Sequence, residues 1–384
     1  MKKVFTIALA LILAFSLLTA CGNTEKSELG DLIGISQEKV YEKMGNPQET
    51  LNEIDVYTIN GKSIRISYDE NKLVNQINVN GQYVINLAKE NGNDVQLHDW
   101  AKEYLELGSG LTLGLVNDHE PTENGVVYLN KITDNLNVQF ANLTEIDREF
   151  ILKIFYEYEE VAFKADNNNI FQNSYTFTLN AMTSLIIPIT LDENLKFDNS
   201  HFLTVAVLTS PNKYAVDLDM MSDSYGMSIT YELVNRNETR QINEKPMPQE
   251  PIEFLKNPYQ GLMLNVDFTA KDDTQVFFPP KQLKIKSGET VRLAYRAGNY
   301  ENTDDVLFIV ILNWQQQRIN DDKPFIHILN KPEYLGYGVI EFTAPLEKGK
   351  YEITGFIDRH PFELRSASNF CGNETCYRFT LVVE

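Results

Sequence analysis

Cysteine is scarce in this chain, with three among 384 residues. Cys21 stands alone near the N-terminus, while Cys371 and Cys376 are separated by Gly372, Asn373, Glu374 and Thr375. That count excludes a disulfide-dense scaffold and a four-cysteine zinc site, and the C-terminal spacing is wrong for a C-x-x-C redox centre. Histidine is also sparse. His98, His119, His201, His327 and His360 form no H-E-x-x-H or H-x-H pattern, so no zinc or copper motif is present. Positive charge is in deficit: 34 Lys and Arg face 54 Asp and Glu, a formal net charge of -20. Such a surface repels nucleic acid and other polyanions, which leaves cationic, neutral or apolar partners. After the apolar segment Val4 to Leu18, no run approaches the roughly 20 residues of a membrane helix. No repeat of short period appears, and no low-complexity tract beyond Asn167-Asn168-Asn169.

What is present begins at the N-terminus. Lys2 and Lys3 precede the apolar segment, and Ala20 stands directly before Cys21, the layout of a secretory signal peptide. Leu18-Thr19-Ala20-Cys21 resembles the lipobox of bacterial lipoproteins. The resemblance implies that residues 1–20 are removed and that Cys21 becomes a diacylglycerol cysteine with palmitate-type chains. It also implies that the mature protein is held on the extracytoplasmic side of the cell membrane. Residues 21–30 are small and polar and read as a tether.

The remaining length and a hydrophobic content of 43% suit two or three folded domains. Residues 31–110 predict a small α+β domain. Ser36 is a good helix N-cap, Val40, Tyr41 and Met44 share a helical face, and Gly45 with Pro47 stops the helix. Strands follow at Val56 to Ile59, Ser63 to Tyr68, Leu73 to Val79 and Gln82 to Leu87, with a second helix at Leu97 to Leu107. The run from Gly34 to Pro47, G-x-S-x-x-x-V-x-x-x-x-G-x-P, resembles SmpA/OmlA-like and β-lactamase-inhibitor-protein-like domains of bacterial lipoproteins. The resemblance covers about 50 residues and implies protein binding, not catalysis; the chain departs from those families in having one helix before the sheet.

Residues 125–235 read as a β-sandwich, with strand-like segments separated by polar, Gly, Pro or Asn breaks. Tyr214 to Leu218 is taken as one of these strands. Residues 236–261 carry Pro246, Pro248, Pro251 and Pro258 among polar residues and predict a linker. Residues 262–384 restart the β rhythm, and the strand-turn-strand from Leu283 to Leu293 resembles the opening of bacterial immunoglobulin-like domains. The expected fold class is mainly β: a small α+β N-terminal domain followed by two immunoglobulin-like β-sandwich domains.

Tests for chemistry return little. Ser36-Gln37-Glu38-Lys39 matches S-x-x-K, but Ser36 is spent as a cap and no α/β body surrounds it. Asp217, Asp219 and Asp223 gather carboxylates without the glycine of an EF-hand loop. No serine or cysteine has a recognisable histidine base, so neither a catalytic residue nor a metal or cofactor is expected. Cys371 and Cys376 are a disulfide candidate, with two free thiols as the alternative. Met220, Met221, Tyr225, Met227, Phe277 and Phe278 form a candidate contact surface, the alternative being loops folded back over a sandwich end. The expected role is a membrane-anchored, surface-exposed, non-catalytic interaction or assembly module that binds an envelope protein or peptide. The alternatives are a small-ligand-binding or sensing lipoprotein and an envelope hydrolase of unrecognised type.

Overall fold

A computed structural model describes residues 32, 35–51, 54–59, 62–68, 72–79, 82–84, 97–106, 110–117, 122–144, 146–166, 168–217, 226–242, 245–266 and 280–384. They fall into two compact units, Met1–Ser109 and Gly110–Glu384.

In the first unit, helix α1 (Gln37–Met44) precedes a meander of β1 (Glu49–Leu51), β2 (Ile54–Ile59), β3 (Lys62–Tyr68), β4 (Val74–Val79) and β5 (Gln82–Val84), and α2 (Asp99–Glu106) follows. The five strands pair antiparallel in chain order. Ser36 occupies the N-cap position as expected, but its hydroxyl makes no capping bond. The helix entry is held instead by the Gln37 amide, which donates to the Lys72 carbonyl at 2.9 Å. Gly45, at φ 81, ends the helix, and its N–H donates to the Tyr41 carbonyl. Val40 packs with Tyr57, Ile64, Ile66 and Val74. The buried Asp55 carboxylate ties helix to sheet by accepting from Tyr68, Thr50 and Gln37 at 2.7, 2.8 and 3.3 Å.

The second unit holds two sandwiches of closely similar strand order. Its first sandwich contains β6 (Leu111–Asn117), β7 (Val126–Leu129), β8 (Leu136–Asn142), β9 (Arg148–Tyr156), β10 (Glu159–Glu160), β11 (Phe163–Ala165), β12 (Tyr175–Leu179), β13 (Thr183–Leu191), β14 (Ser200–Thr209) and β15 (Gly226–Asn235). One sheet runs β11-β13-β8-β6; in the other, β9 lies between β12 and β14, and β15 takes β7 as a parallel neighbour. The second sandwich contains β16 (Glu253–Lys256), β17 (Gly261–Asn265), β18 (Gln282–Ile285), β19 (Thr290–Gly298), β20 (Asp305–Leu312), β21 (Gln315–Gln316), β22 (Ile326–Leu329), β23 (Tyr334–Thr343), β24 (Gly349–Asp358), β25 (Gly372–Thr375) and β26 (Phe379–Val383). Here the sheets are β16-β23-β19-β17 and β22-β20-β24-β26, with β18 parallel to β26. Mainly β, with a small α+β unit and two immunoglobulin-like sandwiches, is therefore the fold.

The sandwiches are joined through a strand absent from the sequence reading. β25 pairs with β15 on one side and β24 on the other, so one sheet runs β10-β9-β14-β15-β25-β24-β20-β21. Two of its strands, β14 and β20, are buried on both faces. On β14, Leu203, Val205 and Val207 enter the first sandwich core, while Phe202, Ala206 and Leu208 face a separate core between the sandwiches. On β20, Val306, Phe308 and Val310 fill the second sandwich, and Leu307, Ile309 and Ile311 the space between. Doubly buried strands read as continuous apolar runs, as these do.

Three sequence expectations are corrected. The first sandwich begins at β6, before residue 125, because Leu111–Asn117 pairs along β8. Residues 236–261 are no free linker: they supply β16, and the Gln249 amide bonds to the His327 carbonyl at 2.8 Å. The expected strand at Tyr214 to Leu218 is not formed over its described residues: Ala215–Asp217 is a 3-10 turn, held in part by the Glu352 carboxylate accepting from the Ala215 amide at 3.0 Å, and Leu218 lies outside the described residues.

Charged groups buried at the junction are paired. Asp358 accepts from Tyr158 at 2.8 Å and from Arg365 at 2.7 Å, and Glu232 accepts from Arg240 at 2.8 and 2.6 Å. Lys153, also buried, donates to Glu160 at 2.6 Å.

Candidate functional site

A cavity of about 760 Å³ opens at one end of the second sandwich. Four chain segments form it: the approach from β16 to β17, the exit of β19, the turn entering β23, and the exit of β24. The first two are tied together by Asn299, whose side-chain amide donates to the Asn257 and Tyr259 carbonyls at 2.8 and 2.6 Å. Asn330 adds a second tie by donating to the Tyr300 and Thr303 carbonyls, both at 2.8 Å. Gly298 permits this closeness: at φ 108, a Cβ there would lie 2.8 Å from Asn330 Oδ1.

The third segment is a tight turn. The Tyr334 amide donates to the Lys331 carbonyl at 3.0 Å across Pro332 and Glu333. Proline sets φ near −65°, and Glu333 follows at φ 68, the position where such turns favour glycine or asparagine. A glutamate is thus held in left-handed backbone at the pocket rim.

The inner wall is polar and crowded. Tyr300 is 3% exposed, and the Arg359 guanidinium lies 5.3 Å from its ring centre. Arg359 Nη2 donates to the Gly372 carbonyl at 3.0 Å, and Nη1 approaches Glu374 Oε1 at 4.0 Å. Burial, then the charge of Glu374, pushes the Tyr300 hydroxyl far above the usual tyrosine range. The His360 amide donates to Asp358 at 2.9 Å, and its Nδ1 stands 3.3 Å from Glu363 Oε2, outside hydrogen-bond geometry. Tyr300 Oη, Arg359 Nε and His360 Nδ1 are all buried without a well-formed hydrogen bond. Around the mouth, Lys256 is balanced by Glu301 and Glu333.

Cys371 and Cys376 are both free thiols, so the disulfide candidate is not realised. They bracket β25, and an offset of five residues sends neighbouring side chains to opposite faces of an extended segment. Cys376 enters the second sandwich core, where burial pushes its thiol up to about 12. Cys371 is half-buried, donates to the Asn369 carbonyl at 3.7 Å, and is raised by burial despite nearby Arg359. Neither is activated as a nucleophile, and among the described residues no serine or cysteine lines the cavity.

Of the candidate contact surface, Met227 is half-buried on β15 and packs on the first sandwich core. Met220, Met221, Tyr225, Phe277 and Phe278 lie outside the described residues, as does Cys21. Among the described residues, no three His, Cys, Asp or Glu side chains gather as a metal site. No described helix is long and apolar enough to cross a membrane. The pocket was missed in the sequence because its residues come from four separate segments; its one local signal was a Pro-Glu turn lacking the usual glycine.

No protein-family model matches the chain, and no curated protein matches it in sequence. The E. coli chaperone DraB is similar over 70% of this chain and 97% of its own, at 11% identity and a TM-score of 0.23. The periplasmic chaperone SfaE is similar over 71% of this chain and 100% of its own, at 8% identity and a TM-score of 0.22. Red sea bream transglutaminase spans 95% of this chain but 45% of its own, at 13% identity and a TM-score of 0.19. Likeness at these scores carries no argument about function.

Proposed function

We propose that this chain is a bacterial lipoprotein, anchored through a lipid on Cys21 to the extracytoplasmic face of the cell membrane. Its β unit serves as a non-catalytic interaction or assembly module for an envelope protein or peptide. The observation that carries this reading is the filled junction between the sandwiches. Phe155, Phe202, Phe356 and Phe362 occupy that space, where a solute receptor would keep a cleft to close around its ligand. A stiff two-lobed body suits presentation of a fixed surface to a partner.

In-cell cross-linking of the full-length protein, read by mass spectrometry beside the Cys21→Ala variant, tests both parts. Expected are reproducible cross-links from residues 110–384 to one envelope protein, and loss of lipid labelling with release or non-cleavage in the variant. Unchanged membrane retention without lipid labelling sinks the anchor. A clean absence of captured protein sinks the interaction role.

A further inference from the structure

We propose that the outer face of the sheet β11-β13-β8-β6 is a self-association surface, on which a second copy of this chain docks to form a weak two-fold dimer. The inference rests on this sheet alone and is independent of the anchor and of the envelope partner.

Strand periodicity sets the face. Leu113, Leu115, Val138, Phe140, Ile187 and Ile189 enter the first sandwich core, so their neighbours along each strand point outward. The register aligns those neighbours in rows across the sheet: Gly114 with Gln139 and Ile186, then Val116 with Asn137 and Pro188. Gly114 keeps its row flat, because a Cβ there would lie 3.4 Å from Oε1 of Gln139 and 3.6 Å from its Cβ. Next, Thr190 pairs with Lys164. Phe171 extends that row, since Phe163 and Gln172 exchange backbone bonds of 3.0 Å on the far side of β11. The Lys164 ammonium stands 4.8 Å from the centre of the Phe171 ring. Phe171 and its neighbour Ile170 are 39% and 70% exposed. Pro188 is also exposed, while Ile186 and Val116 are half-buried. At the other end of the sheet the row of Thr112, Ala141 and Ser184 is buried, which bounds the face.

Charge and area select the occupant. Among the described residues the face carries no carboxylate, and its one charge, Lys164, rests on an aromatic ring. The outer face of the second sandwich, by contrast, carries Arg292, Arg296 and Glu341. This uncharged face belongs to a chain of formal net charge -20. Two such chains repel over most of their surface and meet closely only where carboxylates are absent. A cationic partner would be drawn to the carboxylates instead. The face therefore fits a partner as acidic as the chain itself, and a second copy is that partner. Two-fold symmetry sets like against like, which an uncharged face tolerates. Ile186, Val116, Pro188 and Phe171 supply the apolar area that contact removes from water. Five neighbouring segments about 4.8 Å apart and about 20 Å long give roughly 400–500 Å² per copy. A pair thus buries about 800–1,000 Å², below the roughly 1,200 Å² of stable complexes and within the transient class.

Sedimentation equilibrium of the full-length chain in nonionic detergent, up to about 500 μM, tests this. A monomer–dimer equilibrium with a Kd of about 0.1 mM is expected. Raising salt from about 0.1 to 0.5 M should tighten it about twofold or more, because screening weakens the repulsion between acidic copies. Ile186→Asp and Thr190→Asp set carboxylates against each other across the two-fold and should each weaken the dimer about tenfold. Their melting temperatures should stay within about 2 °C of the parent. Leu346→Asp, at an 80% exposed position of the second sandwich, should leave the Kd within about twofold. The proposal is overturned by a monomer throughout that range, by a dimer that both face variants leave intact, by equal weakening in Leu346→Asp, or by association that salt weakens.

Discussion

Glu160 and Gln316 lie 156 residues apart in the chain and bind each other in both directions. The Glu160 amide donates to Gln316 Oε1 at 2.7 Å, and the Gln316 amide donates to Glu160 Oε2 at 2.5 Å. β10 and β21 are the two ends of the path that runs through both sandwiches. Their contact bridges the two ends through side chain and main chain, with no strand ladder between them. Gln316 adds to this bridge by donating its side-chain amide to the Tyr158 carbonyl at 2.8 Å.

A shared core predicts that residues 110–384 unfold together. Phe356 is fully buried and meets Phe155 edge-on, with ring centres 5.3 Å apart. Phe356→Ala should destabilise the unit by about 3–5 kcal/mol while both sandwiches still melt in one transition. Calorimetry resolving two transitions for residues 110–384 in the parent protein would count against a common core.

Asp358 is the counter-charge of a buried arginine. Asp358→Asn leaves Arg365 without its ionic partner, since Asp358 and Arg365 side chains are each 3% exposed and 2.7 Å apart. The expected loss is about 3–5 kcal/mol in chemical denaturation. A loss below about 1 kcal/mol, the value of surface pairs, would show the junction to be hydrated.

His201 makes stability depend on pH. Burial pushes its imidazole down, but Glu157 at 2.9 Å and Asp198 at 3.0 Å outweigh it and hold the pKa above the ordinary value. A raised folded-state pKa contributes stability that is complete below the unfolded value of about 6.5 and is lost as pH rises through the folded value. The parent protein should therefore lose more stability than His201→Gln between pH 6 and pH 8, about the window in which an imidazole titrates. Equal slopes of melting temperature against pH would refute the assignment.

Free thiols predict indifference to reductant. Dithiothreitol should leave the melting temperature unchanged, and a thiol reagent should label Cys371 slowly and Cys376 only on unfolding, because burial raises both. A drop in melting temperature on reduction would reveal a bridge.

Much of the strand layout was legible because side-chain periodicity is a local property. Ile64, Ile66 and Tyr68 alternate with polar residues on β3, and the sheet buries Ile64 and Ile66. The full burial of β14 and β20 was also written in their apolar runs, since a strand with one wet face carries polar residues at alternate positions. What could not be read locally was which second surface covered them. β25 was hidden for a similar reason: Gly372-Asn373-Glu374-Thr375 has the composition of a turn, and only the edges of β15 and β24 draw it into a strand. The cavity depends on four segments brought together by Asn299 and Asn330, contacts that have no sequence periodicity.

The placement of β25 also orders assembly in time. Its partner β15 ends at Asn235, so more than a hundred residues must be made and folded back before Ser228 can pair with Asn373. Contacts this distant in sequence close late and slowly. Until then, the first sandwich presents one flank of β15 to its surroundings, a surface that invites pairing with foreign strands. For a chain made from its N-terminus, that interval is a period of vulnerability, and it ends only when Gly372–Thr375 arrives.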